Sequence, residues 1–122
     1  MKLLVTVSGE EGLEAEVDSR FGRAPYFLFV DTESMEHTIQ ENKATGESSG
    51  AGVAAAQEVL DEKVQGVIAG NFGPKAFNSL KASQVKLYSV SGVTVEEAVC
   101  KLKRGGLEEL SEHTRSAHSG LN

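Results

Sequence analysis

Two helical crossovers in the second half of the chain restrict the possible folds more than any other feature. Residues 52–64 are predicted to form a helix because their apolar side chains recur at spacings of three or four. A short apolar strand over residues 66–70 follows, a second helix begins at Pro74, and another strand spans residues 85–90. Strands that are joined through a helix lie parallel to one another in a single sheet. The pattern therefore predicts an α/β fold with parallel strands in its second half.

The first half of the chain has a different pattern. Apolar strands are predicted at residues 2–8 and 26–31, and a weaker edge strand is predicted at residues 37–40. These strands are joined by short links without a helical pattern, so they should form an antiparallel meander. A third helix should begin at Thr94, where Glu97 completes a capping box. Together the two halves predict a mixed five-stranded sheet with three helices packed on it.

This topology places most of the loops at one edge of the sheet. If the first strand runs upward, the upper edge receives residues 9–25, 41–52, 70–75 and 90–94. In open α/β sheets, ligands bind at the edge where the parallel strands end. The three helices also begin there, and the unpaired N–H groups of a helix N-terminus favour anions. We therefore expect an anion-binding site at the upper edge.

The composition limits the class of protein. A chain of 122 residues fits one domain, and its single cysteine, Cys100, excludes an intramolecular disulfide and a four-cysteine metal site. Cysteine usage of this kind favours a reducing cytoplasm. A formal net charge of −6 argues against nucleic-acid binding, and no segment approaches the roughly 20 apolar residues of a membrane span. We expect residues 1–104 to form the domain and residues 105–122 to form a polar, partly disordered extension.

The loops of the upper edge contain cations and glycines in patterns that suit an anion. Arg20 and Arg23 flank a glycine turn, and planar guanidinium groups match anionic oxygens. An ordinary β-turn with solvated arginines explains the same segment equally well. Residues 71–75 are either part of a site, with Lys75 as a cation, or a plain strand-to-helix turn with proline in the first helical turn. The glycine-rich residues 46–52 lack the lysine of a P-loop, so they form either a flexible helix cap or part of a ligand rim.

Metal coordination and catalysis find little support in the residue spacing. The three histidines, His37, His113 and His118, have no metal-ligand spacing with a partner in one element. Cys100 falls outside the apolar stripe of its helix, so a surface thiol or a covered satellite residue is expected rather than a metal ligand. Neither Cys100 nor any serine has a histidine and an acid nearby in sequence. We therefore expect a binding protein rather than an enzyme, and the metal ligands, if any, stay unassigned.

Two longer motifs give the sequence a family resemblance. Residues 17–31 (VDSRFGRAPYFLFVD) and 69–82 (AGNFGPKAFNSLKA) are similar to two signatures of the dinitrogenase iron–molybdenum cofactor biosynthesis family. These are nitrogenase accessory factor domains of the NifX and NifB C-terminal type. The glycine turn at residues 49–52 (SGAG) matches the turn between the two signatures. The resemblance extends from Met1 to about Lys103.

The resemblance implies a ribonuclease-H-like mixed α/β fold and a non-catalytic role. That role is the binding or carriage of an iron–molybdenum cofactor, an iron–sulfur precursor or a similar anionic cofactor, with cofactor-assembly or acceptor proteins as partners. The candidate cofactor-binding residues lie in the three matched turns: Arg20, Phe21, Gly22, Arg23, Gly50, Gly52, Asn71, Gly73 and Lys75. The resemblance implies a His-Phe-Gly motif in many cluster-handling members, and this chain has Arg20-Phe21-Gly22 at that place. A guanidinium stays protonated and is therefore a poor metal ligand. The alternative is an enzyme or regulatory domain that binds a phosphorylated metabolite at the same edge.

Overall fold

The computed structural model describes residues 1–42 and 51–111, and in residues 51–54 only the backbone. One sheet contains five strands in the spatial order β3-β2-β1-β4-β5. The strands are β1 Lys2–Val7, β2 Tyr26–Asp31, β3 His37–Glu41, β4 Gly66–Ala69 and β5 Lys86–Ser89. Within the described residues the helices are α1 Ala51–Asp61, α2 Pro74–Ala82 and α3 Val95–Lys103. The predicted mixed five-stranded α/β fold is confirmed.

The strand directions also agree with the sequence pattern. β1 pairs with β2, and β2 with β3, in antiparallel register. β4 lies parallel to β1, and β5 lies parallel to β4. The crossovers through α1 and α2 therefore bring the carboxyl ends of β1, β4 and β5 to one edge, which we call the upper edge.

The first helix is shorter than its apolar stripe predicted. The stripe extends to Val64, but α1 ends at Asp61. Lys63 has a φ of +57°, and this left-handed conformation interrupts the helical path. Val64 is nevertheless buried in the core, so its apolar character reflects packing after the helix rather than a place within it.

Each face of the sheet has its own apolar layer because neighbouring strand residues point to opposite faces. The layer beneath α1 and α2 includes Leu4, Phe27, Phe29, Val67 and Leu87. The layer beneath α3 includes Leu3, Val5, Leu28, Ile68 and Tyr88. Both layers are buried, so the central strands are covered on both sides and hold the upper-edge loops on a rigid base.

The connection between β1 and β2 does more than cross the upper edge. Its short 3-10 helix, Gly12–Glu14, lies beside β3 on the face covered by α3, where a Cβ on Gly12 would come within 3.0 Å of the His37 ring. Leu13 packs against the apolar layer of that face. The prediction that all of residues 9–25 lie at the upper edge was therefore only partly right, since residues 12–14 cover a face of the sheet instead.

Local sequence signals explain where the later helices begin. Thr94 caps α3 by accepting a hydrogen bond from the Glu97 backbone, and the Glu97 carboxylate accepts one from the Thr94 backbone. This reciprocal capping box confirms the predicted helix start. Pro74 occupies the first turn of α2, where its missing N–H has no cost.

The chain after α3 returns to the sheet. Tyr88 of β5 forms an antiparallel bridge with Glu109, and the Leu110 N–H donates to the Leu87 carbonyl at 2.7 Å. Leu107 and Leu110 pack on the two apolar layers. Residues 107–110 therefore cover part of the outer side of β5.

Some of the sequence predictions fall outside the described residues. They are the glycine-rich residues 46–50 with Gly50, the two histidines His113 and His118, and residues 112–122 of the predicted extension. In the described part of the chain, no helix is long and apolar enough to cross a membrane.

Candidate functional site

Two turns meet at the upper edge and are joined by hydrogen bonds. We call residues 18–23 and 70–75 together the paired turns. The Phe21 N–H donates to the Asn71 carbonyl at 3.2 Å, and the Asn71 side-chain amide donates to the Ser19 carbonyl at 3.0 Å. The Gly70 N–H donates to the Asp18 carbonyl at 3.0 Å. The two family-like motifs, about fifty residues apart in sequence, thus form one structural unit.

Two phenylalanines anchor the paired turns in the core. Phe21 and Phe72 are buried, and their ring centroids lie 5.5 Å apart. Phe21 also stacks near Phe27 of β2, with centroids 6.2 Å apart. Such aromatic contacts contribute stability beyond simple burial. The structure therefore places Phe21, a predicted cofactor-binding residue, below the surface as a support for the turn.

Gly70 allows the two turns to approach closely. A Cβ at this position would lie 2.5 Å from the Ser19 Cα atom, a separation that only a backbone shift could relieve. The residue is buried at the end of β4. Glycine is therefore required here by the contact between two backbones.

Asp18 organises the first turn. Its carboxylate accepts hydrogen bonds from the Ser8 hydroxyl at 2.9 Å and from the Arg20 backbone N–H at 2.8 Å. It also accepts from the Arg20 guanidinium, at 3.3 Å from Nε and 3.4 Å from Nη2. The Asp18 side chain is 6% exposed, whereas that of Arg20 is 60% exposed. The arginine is thus held by a buried carboxylate while much of its surface faces solvent.

The hydrogen bonds keep this carboxyl group ionised. Burial raises the pKa of Asp18, but bonds from the Arg20 side chain and backbone and from Ser8, with the guanidinium charge, outweigh that effect. The pKa of Asp18 is therefore lowered from its ordinary value of 3.8. A negative charge stands directly behind Arg20 at neutral pH.

Asn42 holds the other side of the first turn. This side chain is buried, and its amide donates to the Gly22 carbonyl at 3.2 Å and to the Ala24 carbonyl at 2.8 Å. Its backbone N–H donates to the Pro25 carbonyl. Sequence reasoning missed this residue because Asn42 lies about twenty positions from the turn that it supports and has no local motif.

The second turn presents the open end of a helix. Gly73 is the N-cap of α2 and supplies no side-chain hydrogen bond to the first helical N–H groups. It is exposed, and a Cβ at Gly73 would meet no atom within 4 Å. Lys75 follows in the first turn and is exposed. This end of α2 can therefore be approached by a ligand without displacing any described atom.

The connection between β1 and β2 is acidic where it leaves the upper edge. A hollow beside β1 is lined by Ser8, Gly9, Glu11, Glu14 and Glu16, and Glu16 bridges to Thr94 at the start of α3. The positive side chains of the described upper edge instead belong to the paired turns. Among the described residues, the cations expected at this edge thus lie on one side of it.

Comparison with known proteins places the chain in a family. The model for the family described as "Dinitrogenase iron-molybdenum cofactor" matches residues 1–105. This chain belongs to the dinitrogenase iron–molybdenum cofactor family.

Two solved structures and one relative compared by sequence show how far the similarity extends. The apo form of the orange protein from Desulfovibrio gigas is 34% identical, with a TM-score of 0.90 over 93% of this chain and 96% of that chain. A NifB-like protein from Thermotoga is 37% identical, with a TM-score of 0.80 over 95% of this chain and 98% of that chain. An uncharacterized protein of Methanocaldococcus jannaschii is 29% identical over 92 residues, which are 73% of this chain and 78% of that protein.

In this member of the dinitrogenase iron–molybdenum cofactor family, the predicted site residues fall into three groups. Arg20, Gly22 and Arg23 lie in the first of the paired turns, and Gly73 and Lys75 in the second. The side chain of Asn71 bonds the neighbouring turn, and Phe21 lies below it, so both support the site from within. Gly52 lies in the first turn of α1, while Gly50 is outside the described residues.

Within the described residues, the histidine and the cysteine of this family member, His37 and Cys100, lie away from the paired turns. His37 begins β3 at the lower edge, and its Nδ1 lies 3.2 Å from the Met35 carbonyl oxygen. Cys100 is exposed on α3, which decides between the two placements expected for it, and it lines a hollow with Met35 and Lys103. Within residues 1–42 and 51–111, no group of three His, Cys, Asp or Glu side chains is arranged to hold a metal ion. The chemistry that the paired turns offer is charge and hydrogen bonding.

Proposed function

We propose that the protein binds an iron–molybdenum cofactor or an iron–sulfur precursor at the paired turns and carries it without changing it chemically. Membership of the dinitrogenase iron–molybdenum cofactor family supports the class of cargo. The single observation that carries the location is the meeting of both family motifs in one hydrogen-bonded unit beside Arg20 and Lys75. Metal–sulfur clusters of this kind are anionic, and the cations and helix N-terminus of the paired turns suit an anion.

The residues present determine how such a cargo is held. Arg20 stays protonated and cannot coordinate a metal. Arg20, Arg23 and Lys75 instead offer charge-assisted hydrogen bonds to sulfur or oxygen atoms at the cluster surface, and Gly73 gives access to the first N–H groups of α2. Binding through charge rather than through metal–ligand bonds leaves the cluster transferable. We therefore propose cofactor-assembly and acceptor proteins as partners, in the cytoplasm.

A second candidate is a phosphorylated metabolite at the same place. The observation that favours it is the open start of α2, because a helix N-terminus without a capping side chain is a common phosphate site. In that case the protein acts as an enzyme or a regulatory domain. A coloured product distinguishes the candidates, since a metal–sulfur cluster absorbs visible light and phosphate does not.

The test compares the parent protein with Arg20→Ala, Arg23→Ala and Lys75→Ala. Each protein is incubated anaerobically with iron, sulfide and molybdate and desalted, and its visible absorption is measured; thermal shift with inorganic phosphate is recorded in parallel. Each lost charge-assisted hydrogen bond should cost about 1.5–3 kcal/mol, which weakens binding roughly tenfold to hundredfold. Lys103→Ala on α3 removes a cation from another part of the surface and should bind as the parent does.

Two results would contradict the proposal. If all three variants retain cluster as well as the parent, the paired turns are not the site. If the parent responds to phosphate and retains no cluster, the second candidate replaces the first. Arg20→His tests whether a metal ligand at this position is missing from this chain. The variant should retain more cluster than the parent if an imidazole at this position can ligate a metal.

A further inference from the structure

Arg20 is already partly occupied by a partner within its own turn. An arginine has five N–H donors, and two of those of Arg20 point to the Asp18 carboxylate. The Arg20 backbone N–H points to the same carboxylate. Any anion that approaches Arg20 therefore meets a guanidinium whose charge is shared with a carboxylate behind it.

Asp18 cannot easily move away from this position. Its backbone N–H donates to the Thr6 carbonyl at 2.8 Å, and its carbonyl accepts hydrogen bonds from the Gly70 N–H and the Thr6 hydroxyl. The side chain is also bonded by Ser8. The carboxylate is thus fixed between the ends of β1 and β4, while the guanidinium that it holds is exposed to solvent.

We infer that Asp18 is a specificity-determining residue, which weakens the attraction of Arg20 for small anions and reserves the site for a larger anion that also reaches the second turn. The inference rests on the proposed function, because it assumes that the cargo contacts Arg20. A small dianion at Arg20 gains one cation and is repelled by one carboxylate. A cluster that spans both turns also gains Lys75 and the start of α2, so the same repulsion is a smaller part of its binding energy.

Asp18→Asn tests the inference because it removes the charge and keeps an oxygen that can accept the Arg20 backbone hydrogen bond. The probe is sulfate, which stays a dianion across the pH range in which the protein is studied, and its affinity is measured by isothermal titration calorimetry. We expect Asp18→Asn to bind sulfate on the order of tenfold more tightly than the parent, because like charges placed together oppose binding.

Three matched variants separate this effect from simpler ones. Asp31→Asn makes the same change in net charge at an exposed site on the lower edge, and Ser8→Ala removes another hydrogen bond to Asp18 without changing charge. Both should bind sulfate as the parent does. Asp18→Asn combined with Arg20→Ala should lose the gain, since the gain acts through Arg20. Equal gains in Asp18→Asn and Asp31→Asn, no gain in Asp18→Asn, or a gain that survives loss of Arg20 would each overturn the inference.

A measurement on the parent protein keeps the inference testable if Asp18→Asn does not fold. The Nε–H group of Arg20 donates to the buried Asp18 carboxylate. Its proton should therefore exchange with solvent at least about tenfold more slowly than the Nε–H proton of the exposed Arg104. Equal exchange rates would show that Asp18 does not occupy Arg20 in solution and would overturn the inference.

The sulfate experiment and the cluster experiment distinguish a failure of this inference from a failure of the proposed function. If the parent retains no cluster but Asp18→Asn gains sulfate affinity through Arg20, the proposed cargo is wrong and the role of Asp18 stands. If the parent retains cluster and Asp18→Asn shows no gain for sulfate, the proposed function stands and Asp18 only shapes the turn.

Discussion

The two sides of the upper edge differ in the side chains that support them and in the charge that they expose. On the side of α1 and α2, two buried phenylalanines tie the paired turns to the core and to each other. On the side of α3, small apolar residues, Ala15, Val17 and Val95, finish the layer beneath a hollow lined by glutamates. One side is thus an aromatic support for cations, and the other is an acidic surface over a layer of smaller buried side chains.

The difference shows why net charge is a poor guide to the ligand of this protein. The whole chain is acidic, with a net charge of −6, and part of its upper edge is acidic as well. The local field depends instead on which side chains the fold fixes in place. An anion site can therefore exist on an acidic protein if its cations are confined to one rigid unit.

The largest effect should come from removing the aromatic support. Phe72→Ala deletes a fully buried ring in contact with Phe21, and a truncation of this kind costs about 3–5 kcal/mol in the free energy of unfolding. Leu13 is a partly buried side chain of the acidic connection between β1 and β2. Leu13→Ala should lower the free energy of unfolding by roughly 1 kcal/mol, because it removes less buried apolar surface than Phe72→Ala does. Urea denaturation measures both. Similar losses in the two variants would show that the two sides do not differ in packing.

A pair of glycine substitutions tests the rigidity of the paired turns. Gly70→Ala should destabilise the fold by about 1–3 kcal/mol because its methyl group meets the Ser19 backbone. Gly73→Ala has open space and a φ of −73°, so its stability should change by less than about 0.5 kcal/mol, as a poorer N-cap offsets a less flexible unfolded chain.

The same pair separates stability from ligand binding. Cluster retention should fall in Gly73→Ala although the fold is intact, since the new methyl group covers the start of α2. Unchanged retention in that variant would show that the ligand does not approach this helix end.

A smaller effect is expected in how the free energy of unfolding depends on pH in the acid range. Because the folded-state pKa of Asp18 is lowered below 3.8, its contribution to stability is present above that value and is lost as the pH falls through the folded pKa. Asp18→Asn should therefore be less stable than the parent at neutral pH, and the gap should narrow below about pH 4. Glu14→Gln, on the acidic side, is the control. A gap that stays constant with pH would contradict the ionic contribution of Asp18.

The smallest effect is expected at Cys100. The thiol is exposed on α3, at the opposite end of that helix from the upper edge. Cys100→Ser should change the free energy of unfolding by less than about 0.5 kcal/mol, and it should leave cluster retention unchanged. Loss of cluster from Cys100→Ser would make the thiol a ligand and would move the site away from the paired turns.

Periodicity in the sequence was sufficient for the fold. β2 spans Tyr26–Asp31 as predicted, because an apolar run bounded by turn residues has few alternatives. The end of α1 was missed because the apolar stripe continues to the buried Val64, and lysine has no preference for the left-handed conformation that ends the helix at Lys63. The more specific ribonuclease-H-like assignment stays a prediction.

The site was only partly accessible from the sequence. Both family-like motifs contain a Phe-Gly pair, at Phe21 and at Phe72, but the contact between the two rings is visible only in the fold. The bond from the Arg20 backbone to Asp18 has a local signal, since aspartate often accepts from the N–H two residues later. The support from Asn42 depends on which loops the sheet brings together, so no spacing could reveal it.

The segment that returns along β5 affects how the protein behaves at high concentration. An uncovered strand edge offers a row of free N–H and C=O groups to another molecule and so promotes ordered aggregation. Glu109 and Leu110 occupy part of this row on β5, and a salt bridge of 2.9 Å between Glu109 and Lys81 fixes them there. Strand-by-strand growth from β5 must first detach this segment, whereas at the opposite border of the sheet the exposed charge of Glu41 on β3 discourages the same event.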